Sequence, residues 1–402
     1  MYIASFKKAI AEYLGIEDVF LFWKGRVALY AILKALDIKE DDEVILPAFT
    51  CVVVANPIIY LGAKPVYIDI DPLTLNIDPK KIEEKITKKT KVIIAQNTFG
   101  LSSDLDAIFE IAKKYNLFVI EDCAHGFGGT FKGKKNGTIA DASFFSTQWN
   151  KPFSTGIGGI AVTKNEIIAQ KLKEIEAKAV KPNLKEKIML ETLVEIKKRF
   201  LKPKIYWFAL NTYRKLSQLN LVVGSSQGYE IERPVEPENF LKGFSDFQAK
   251  EGLKYFEKIN GKHRIDNIIE HRKKIANLYK KMLLELNLEP PYEPSYAEHT
   301  YLKFPLFVKN RAEFFALAEK EKIELGDWFI SPIHPIINNF ELWYYNFGEN
   351  PIAEFASKHI VNLPTHENID EEYLEKIYNF LKKNKELILG SNLDSILKRR
   401  NI

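Results

Sequence analysis

Ala142-Ser143-Phe144-Phe145-Ser146-Thr147-Gln148-Trp149-Asn150-Lys151 is an apolar run that ends in polar residues and a lone lysine. The glycine-rich turn Ser154-Thr155-Gly156-Ile157-Gly158-Gly159 follows, and then a second apolar run, Ile160-Ala161-Val162. Short apolar runs bounded by turn formers predict buried strands, so the lysine belongs to a short loop between two of them. Burial disfavours the charged form of an amine, lowers its pKa and leaves some free base near neutral pH. That is the state of a lysine able to form a Schiff base. Taken alone, the stretch fits an ordinary solvated loop lysine better, one of 58 Lys and Arg. The rest of the chain decides the matter.

A chain of 402 residues suits roughly two or three domains. Hydrophobic residues make up 46% and charged residues 28%, a globular mixture. The net charge of +5 is modest, and no dense Lys/Arg run argues for nucleic acid. Cys51 and Cys123 are far apart and lack metal-ligand spacing, so neither a disulfide framework nor a metal site is expected. Met1 to Gly15, with Lys7, Lys8 and Glu12, predicts an amphipathic helix rather than a signal peptide. No apolar stretch is long enough to span a bilayer. A reducing, cytoplasmic setting is the expectation.

Residues 17 to 23 predict a strand, and Gly25-Arg26 opens a helix through Leu36. Glu43 to Leu46 is a strand stopped by Pro47, and Thr50 is placed to cap a helix through Leu61. Pro65 to Asp69 is a strand, and Asp78-Pro79 starts a helix to about Ile86. Lys91 to Ala95 is a strand, Asp104 to Tyr115 a helix, and Leu117 to Ile120 a strand ending in Glu121-Asp122. Buried strands alternating with amphipathic helices predict a doubly wound α/β fold with a mostly parallel sheet. Ligands of such sheets bind beyond the carboxyl ends of the strands. Gly25-Arg26, Asn97 to Gly100, Asp122 and Ser146 to Lys151 all follow strand ends, so they converge on one crevice.

A charged helix, Glu166 to Lys178, leaves this domain. Residues 183–240 then predict a basic, packed helical insertion carrying Tyr206-Trp207-Phe208 and Leu219 to Val223. Ser245 to Leu283 is one long amphipathic helical stretch; strands within Thr300 to Val308, a helix from Arg311 to Lys320 and a last helix from Asp370 to Lys383 follow. The final dozen residues are polar and expected to fray. The division is a large α/β domain over 1–240 and a smaller α+β domain over 241–402.

A pyridoxal phosphate (PLP) site needs an amine, a carboxylate against the pyridine nitrogen, donors for the phosphate and a group packed on the ring. Lys151 is the candidate amine and Asp122, at a strand end, the candidate carboxylate. Gly25-Arg26-Val27 at a helix start, with Ser146, are candidates for the phosphate. His125, three residues past Asp122, is a candidate for the ring or its 3′-oxygen. Each of these residues alone has an ordinary structural reading, as cap, strand end or core histidine.

Together they resemble the DegT/DnrJ/StrS family of PLP-dependent sugar aminotransferases. The resemblance runs in order from about Gly25 to Lys164 and resumes from about Ser245 to Lys383. It is carried by Glu43-Val44-Ile45-Leu46-Pro47-Ala48-Phe49-Thr50, by Gly62-Ala63-Lys64-Pro65-Val66-Tyr67-Ile68-Asp69, by Val119-Ile120-Glu121-Asp122-Cys123-Ala124-His125 and by Lys151 five residues after Ser146. In the second half Phe247-Gln248-Ala249, Pro332-Ile333-His334 and Leu363-Pro364-Thr365-His366 fit as well. The resemblance implies fold type I, with Lys151 as the Schiff-base lysine and general acid/base. It implies Asp122 on the pyridine nitrogen, His125 beside the ring, Ser146 on the phosphate, Gln148 near the cofactor and His334 toward the substrate. It implies amino transfer from an amino acid, glutamate in most members, to a keto-sugar linked to a nucleotide, in amino-sugar and polysaccharide biosynthesis, by a homodimer.

The sequence departs from the family pattern in four places. Arg26 stands where threonine is usual, Cys51 where an aromatic stacks on the ring, Leu241-Lys242-Gly243 where an Asn-x-Arg motif holds phosphate, and Gln148 where His or Tyr is common. Arg26 would offset the lost arginine with a charge-assisted phosphate contact, and Phe49 is a substitute stacking ring. The competing readings are a cyclitol aminotransferase, a sugar dehydratase and a non-catalytic regulatory member. Dehydratase relatives carry histidine at the lysine position, so Lys151 speaks against that branch.

Overall fold

Seven strands form the central sheet of the computed structural model. Their spatial order is Asp18–Phe22, Gly159–Thr163, Ala142–Ser146, Phe118–Asp122, Thr90–Gln96, Glu43–Pro47, Lys64–Ile68. The structure describes residues 2–200, 212 and 228–400. The five strands from Ala142–Ser146 to Lys64–Ile68 are mutually parallel. Gly159–Thr163 runs opposite to both of its neighbours. Helices cover both faces, as the near-continuous burial of the strands requires. The Gly25–Ala35 helix is buried at every position but Lys34. The mostly parallel α/β sheet expected from the alternation is therefore present, and Gln96, Asp122 and Ser146 lie at strand carboxyl ends along one edge.

Around this frame several local expectations need correction. Thr50 does not cap a helix. It pairs as a strand with Ile333–His334, and its hydroxyl donates to Gln96 Oε1 at 2.6 Å. The Val52–Tyr60 helix begins after it with no side-chain cap. Asp78-Pro79 opens two single 3-10 turns, Pro79–Lys81 and Glu83–Lys85, rather than one α-helix. The long helix expected from Ser245 is split into Asp246–Leu253 and Arg264–Glu285. Between them lies a hairpin, Lys258–Ile259 against Lys262–His263. Its turn is Asn260-Gly261, both at positive φ, the dipeptide that two-residue hairpins favour. Up to Arg400 the chain end is not frayed. Leu393–Arg400 is a helix whose Leu393, Ile396 and Leu397 join the main core.

A second, three-stranded antiparallel sheet sets Phe304–Val308 between Ile360–Leu363 and Ile388–Gly390. With the Arg264–Glu285 and Glu371–Lys383 helices it encloses a core of Tyr279, Leu283, Phe304, Phe314, Ile377 and Phe380. The Tyr206-Trp207-Phe208 and Leu219 to Val223 runs lie outside the described residues. Among the described residues no helix is long and apolar enough to cross a membrane.

Candidate active site

Lys151 sits on a loop held at several points. Thr147 N–H donates to Gly158 O at 3.0 Å and Thr155 N–H to Thr147 O at 2.9 Å. The two threonine hydroxyls meet at 2.6 Å. Lys151 N–H closes a turn on Gln148 O at 3.0 Å. The Leu184–Phe200 helix packs over this loop. Gly156, at φ +88°, leaves no room for a side chain, because a Cβ there would lie 2.7 Å from Leu190 Cδ1 and 2.9 Å from Val194 Cγ2. Burial pulls the Lys151 amine down to about 8, opposed by Cys51 and Asp122 and assisted by Lys303 and Arg26. At neutral pH roughly a tenth of such an amine is free base.

Strand alternation sorts the acid pair at the end of Phe118–Asp122. Glu121 turns away and is held by Asn97 Nδ2 at 2.9 Å and Gly137 N–H at 2.8 Å. Asp122 faces the lysine side. Its Oδ1 accepts from Ala124 N–H at 2.9 Å. Burial raises its carboxyl to about 6, while the Ala124 N–H and Lys151 draw it back.

The third component is the start of the Gly25–Ala35 helix. Lys24 precedes it in an extended conformation and no side chain caps it. Its positive dipole end therefore faces the lysine loop. Ser146 closes on it so tightly that a Cβ on Gly25 would lie 2.9 Å from Ser146 Cβ and 3.2 Å from its Oγ. Val27 turns into the core. The Arg26 guanidinium is committed elsewhere: it forms a buried ion pair with Glu230, from the short Gly228–Glu232 helix. The anion-binding capacity of this corner thus lies in the helix start and Ser146, not in a free Arg26 side chain.

His125 is buried, and its Nδ1 accepts from Phe99 N–H at 3.3 Å. Burial, with Lys151, Lys303 and His334 nearby, pushes the imidazole well below its usual pKa. It is therefore neutral, with its proton on Nε2. One ring that sequence reasoning missed lies against it. The Trp328 indole stacks on His125 at 4.9 Å and 6° and lies 4.5 Å from Lys151 Nζ. Phe49 instead packs edge-on against Phe99 and Phe329, so the aromatic at the lysine is Trp328 and not Phe49. His334 is drawn in by the strand pairing of Ile333–His334 with Thr50–Cys51, and its Nδ1 accepts from Ile330 N–H at 3.3 Å. Gln148 contributes the carbonyl that fixes the lysine turn. Trp328 carried no sequence signal, because its place depends wholly on tertiary packing 177 residues from Lys151.

The model of the DegT/DnrJ/EryC1/StrS aminotransferase family matches residues 1–204 and 246–382. The chain belongs to this family. It is an aminotransferase, and a putative sugar aminotransferase from Streptococcus pneumoniae that shares its fold was solved in a PLP form. It is 28% identical to the GDP-perosamine synthase of Escherichia coli O157:H7 over 374 residues, 92% of this chain and 86% of that one. It is 30% identical to the dTDP-4-amino-4,6-dideoxy-D-glucose transaminase of Shigella dysenteriae over 382 residues, 94% and 88% of the two chains. Among solved structures, the PMP form of a putative sugar aminotransferase from Streptococcus pneumoniae superposes with a TM-score of 0.74 at 21% identity, covering 96% of this chain and 92% of that one.

The residues of this family member fit the cofactor. The cradle between Gly25 and Ser146 is one that a single Cβ would obstruct, and it lies at a helix start suited to a phosphate. Lys151 provides a partly deprotonated amine and Asp122 a buried carboxylate at the adjoining strand end. When bound, PLP supplies the electron sink and the group carrier that amino transfer requires.

Proposed function

We propose that the chain moves an amino group from an amino acid, glutamate, to the keto group of a nucleotide-linked sugar, as a cytoplasmic homodimer. The observation that carries the reading is the meeting of Lys151 and Asp122 beside an uncapped helix start, in a chain whose relatives include transaminases of GDP- and dTDP-sugars. Lys151 Nζ would hold the cofactor and, as general acid/base, would carry the proton that amino transfer relocates. Asp122 would face the pyridine nitrogen and favour its protonated form. His125 donates through Nε2–H beside the ring. Ser146 and the backbone N–H groups of Gly25 and Arg26 would hold the phosphate, while the Val27 N–H is already given to Lys24 O at 3.0 Å. His334, on the facing loop, orients the substrate.

The reading is tested by absorption spectra of the PLP-loaded protein before and after glutamate, followed by a screen of keto-sugar nucleotides. Loss of the visible band with glutamate, and its return with one keto-sugar nucleotide, supports it. A band that no amino acid changes contradicts it.

A further inference from the structure

Lys303 sits at the entry to the Phe304–Val308 strand, mostly buried, with its Nζ 5.6 Å from the Trp328 ring. The same indole carries Lys151 Nζ at 4.5 Å. Two ammonium groups therefore share one aromatic ring. Lys303 takes part in no ion pair with any carboxylate among the described residues. Two further cations stand behind it. Lys197, from the Leu184–Phe200 helix, reaches in to donate to Trp149 O at 2.6 Å. Arg272, buried, donates to Thr365 Oγ1 at 2.9 Å and to Leu302 O at 3.2 Å, next to Lys303. Its Nε has no hydrogen-bond partner. The carboxylates facing this group are Glu324, Asp327 and, toward Arg272, Glu367. Glu324 is already held by His366 Nε2 at 2.9 Å.

Buried cations normally find a carboxylate, because desolvation without a counter-charge is costly. Burial lowers the pKa of Lys303 and brings Lys197 down to about 8 and Arg272 to about 10. Lys303, which makes no ion pair among the described residues and shares the Trp328 indole with the reacting amine, is the ammonium placed to meet an anionic substrate group. The anion must lie close to the reacting carbon, since Lys303 and Lys151 touch the same indole. An amino donor has a carboxylate on the reacting carbon or a few bonds beyond it. The diphosphate of a nucleotide-linked sugar is separated from the keto carbon by the sugar ring.

We propose that Lys303, supported by Lys197 and Arg272, forms the subsite that binds a carboxylate of the amino donor. The inference rests on the transaminase reading above and adds the residues that select the donor. It also gives the Leu184–Phe200 helix a role, as the element that roofs the lysine loop and carries Lys197 into the site.

The test isolates the first half-reaction: PLP-loaded full-length enzyme is titrated with glutamate, glutamine or alanine, and loss of the visible band is followed. Lys303→Met and Lys197→Met are expected to weaken the glutamate dependence about ten- to a hundredfold. PLP should still attach at Lys151 and the keto-sugar dependence of the reverse step should be unchanged, and Lys303→Arg should recover most of the loss. Weakening for glutamate alone assigns the side-chain carboxylate, and weakening for all three donors assigns the α-carboxylate. Glutarate, which has the carboxylates without the amine, should compete with glutamate in the parent protein and lose that competition in Lys303→Met. Unchanged donor dependence in both variants overturns the subsite, as does a loss confined to the keto-sugar step. Failure of the parent protein to react with any donor would instead overturn the transaminase reading itself.

Discussion

The Lys151 ammonium lies 4.5 Å from the centre of the Trp328 indole, and the same ring stacks within 6° of parallel on His125. The indole face favours the charged form of the amine, while the burial it helps create opposes that form. Trp328→Leu keeps an apolar side chain over the amine and removes the π face. A cation–π contact contributes about 0.5–1 kcal/mol, so the variant should lower the Lys151 pKa by about half a unit. The pH dependence of cofactor attachment reports that value.

In the parent protein the same measurement has a defined sign. Lys151 has its pKa lowered by burial to about 8, so the reactive free amine grows as pH rises through that value. The rate of PLP attachment to the apo-protein should increase about tenfold from pH 7 to pH 9 and then level off. An unshifted lysine would still be rising steeply at pH 9.

Asp122→Asn preserves the shape of the side chain and the hydrogen bond from Ala124 N–H while removing the charge. Cofactor should still bind. Turnover should fall by at least about a hundredfold, the scale on which loss of one preorganised electrostatic contact is felt. Steady-state kinetics on the loaded enzyme would reveal it.

Gly156→Ala places a methyl group 2.7 Å from Leu190 Cδ1 at a backbone angle of +88°. Strain and overpacking each cost about 1–3 kcal/mol. Denaturant unfolding should show a loss of that order, and proteolysis should begin at the Lys151 loop.

Glu230→Gln removes the carboxylate that the buried Arg26 guanidinium pairs with. Breaking one side of a buried pair costs about 3–5 kcal/mol, so Tm should drop sharply. Arg26→Met with Glu230→Leu should recover most of it. A Glu230→Gln protein of normal stability that binds PLP more tightly would mean that Arg26 serves the phosphate instead.

The sheet was legible in the sequence because its strands are short apolar runs separated by amphipathic helices. The helix starts expected at Asp104 and Asp370 are present, and each aspartate accepts from a backbone N–H of its helix's first turn. The Asn260-Gly261 hairpin was written in the chain but hidden inside a long helical periodicity. The spacing of Leu393, Ile396 and Leu397 marks a buried helix face, yet four charged residues in that helix gave it the look of a polar tail. The candidate site divides the same way. Lys151, Asp122, Ser146 and Gly25 follow strand ends, and strand ends of a parallel sheet share an edge. Trp328, Lys303 and Glu230 come from segments with no periodic signal. Their approach to Lys151 and Arg26 is a product of packing between distant parts of the chain.

The central claim is that Lys151 is the residue that carries the cofactor. The direct measurement is borohydride reduction of the PLP-loaded protein, followed by peptide mass mapping. The account predicts one modified peptide, containing Lys151, and no modification when glutamate is added before the reductant or when Lys151 is changed to alanine. Modification at another lysine, or retention of the label in Lys151→Ala, would contradict it.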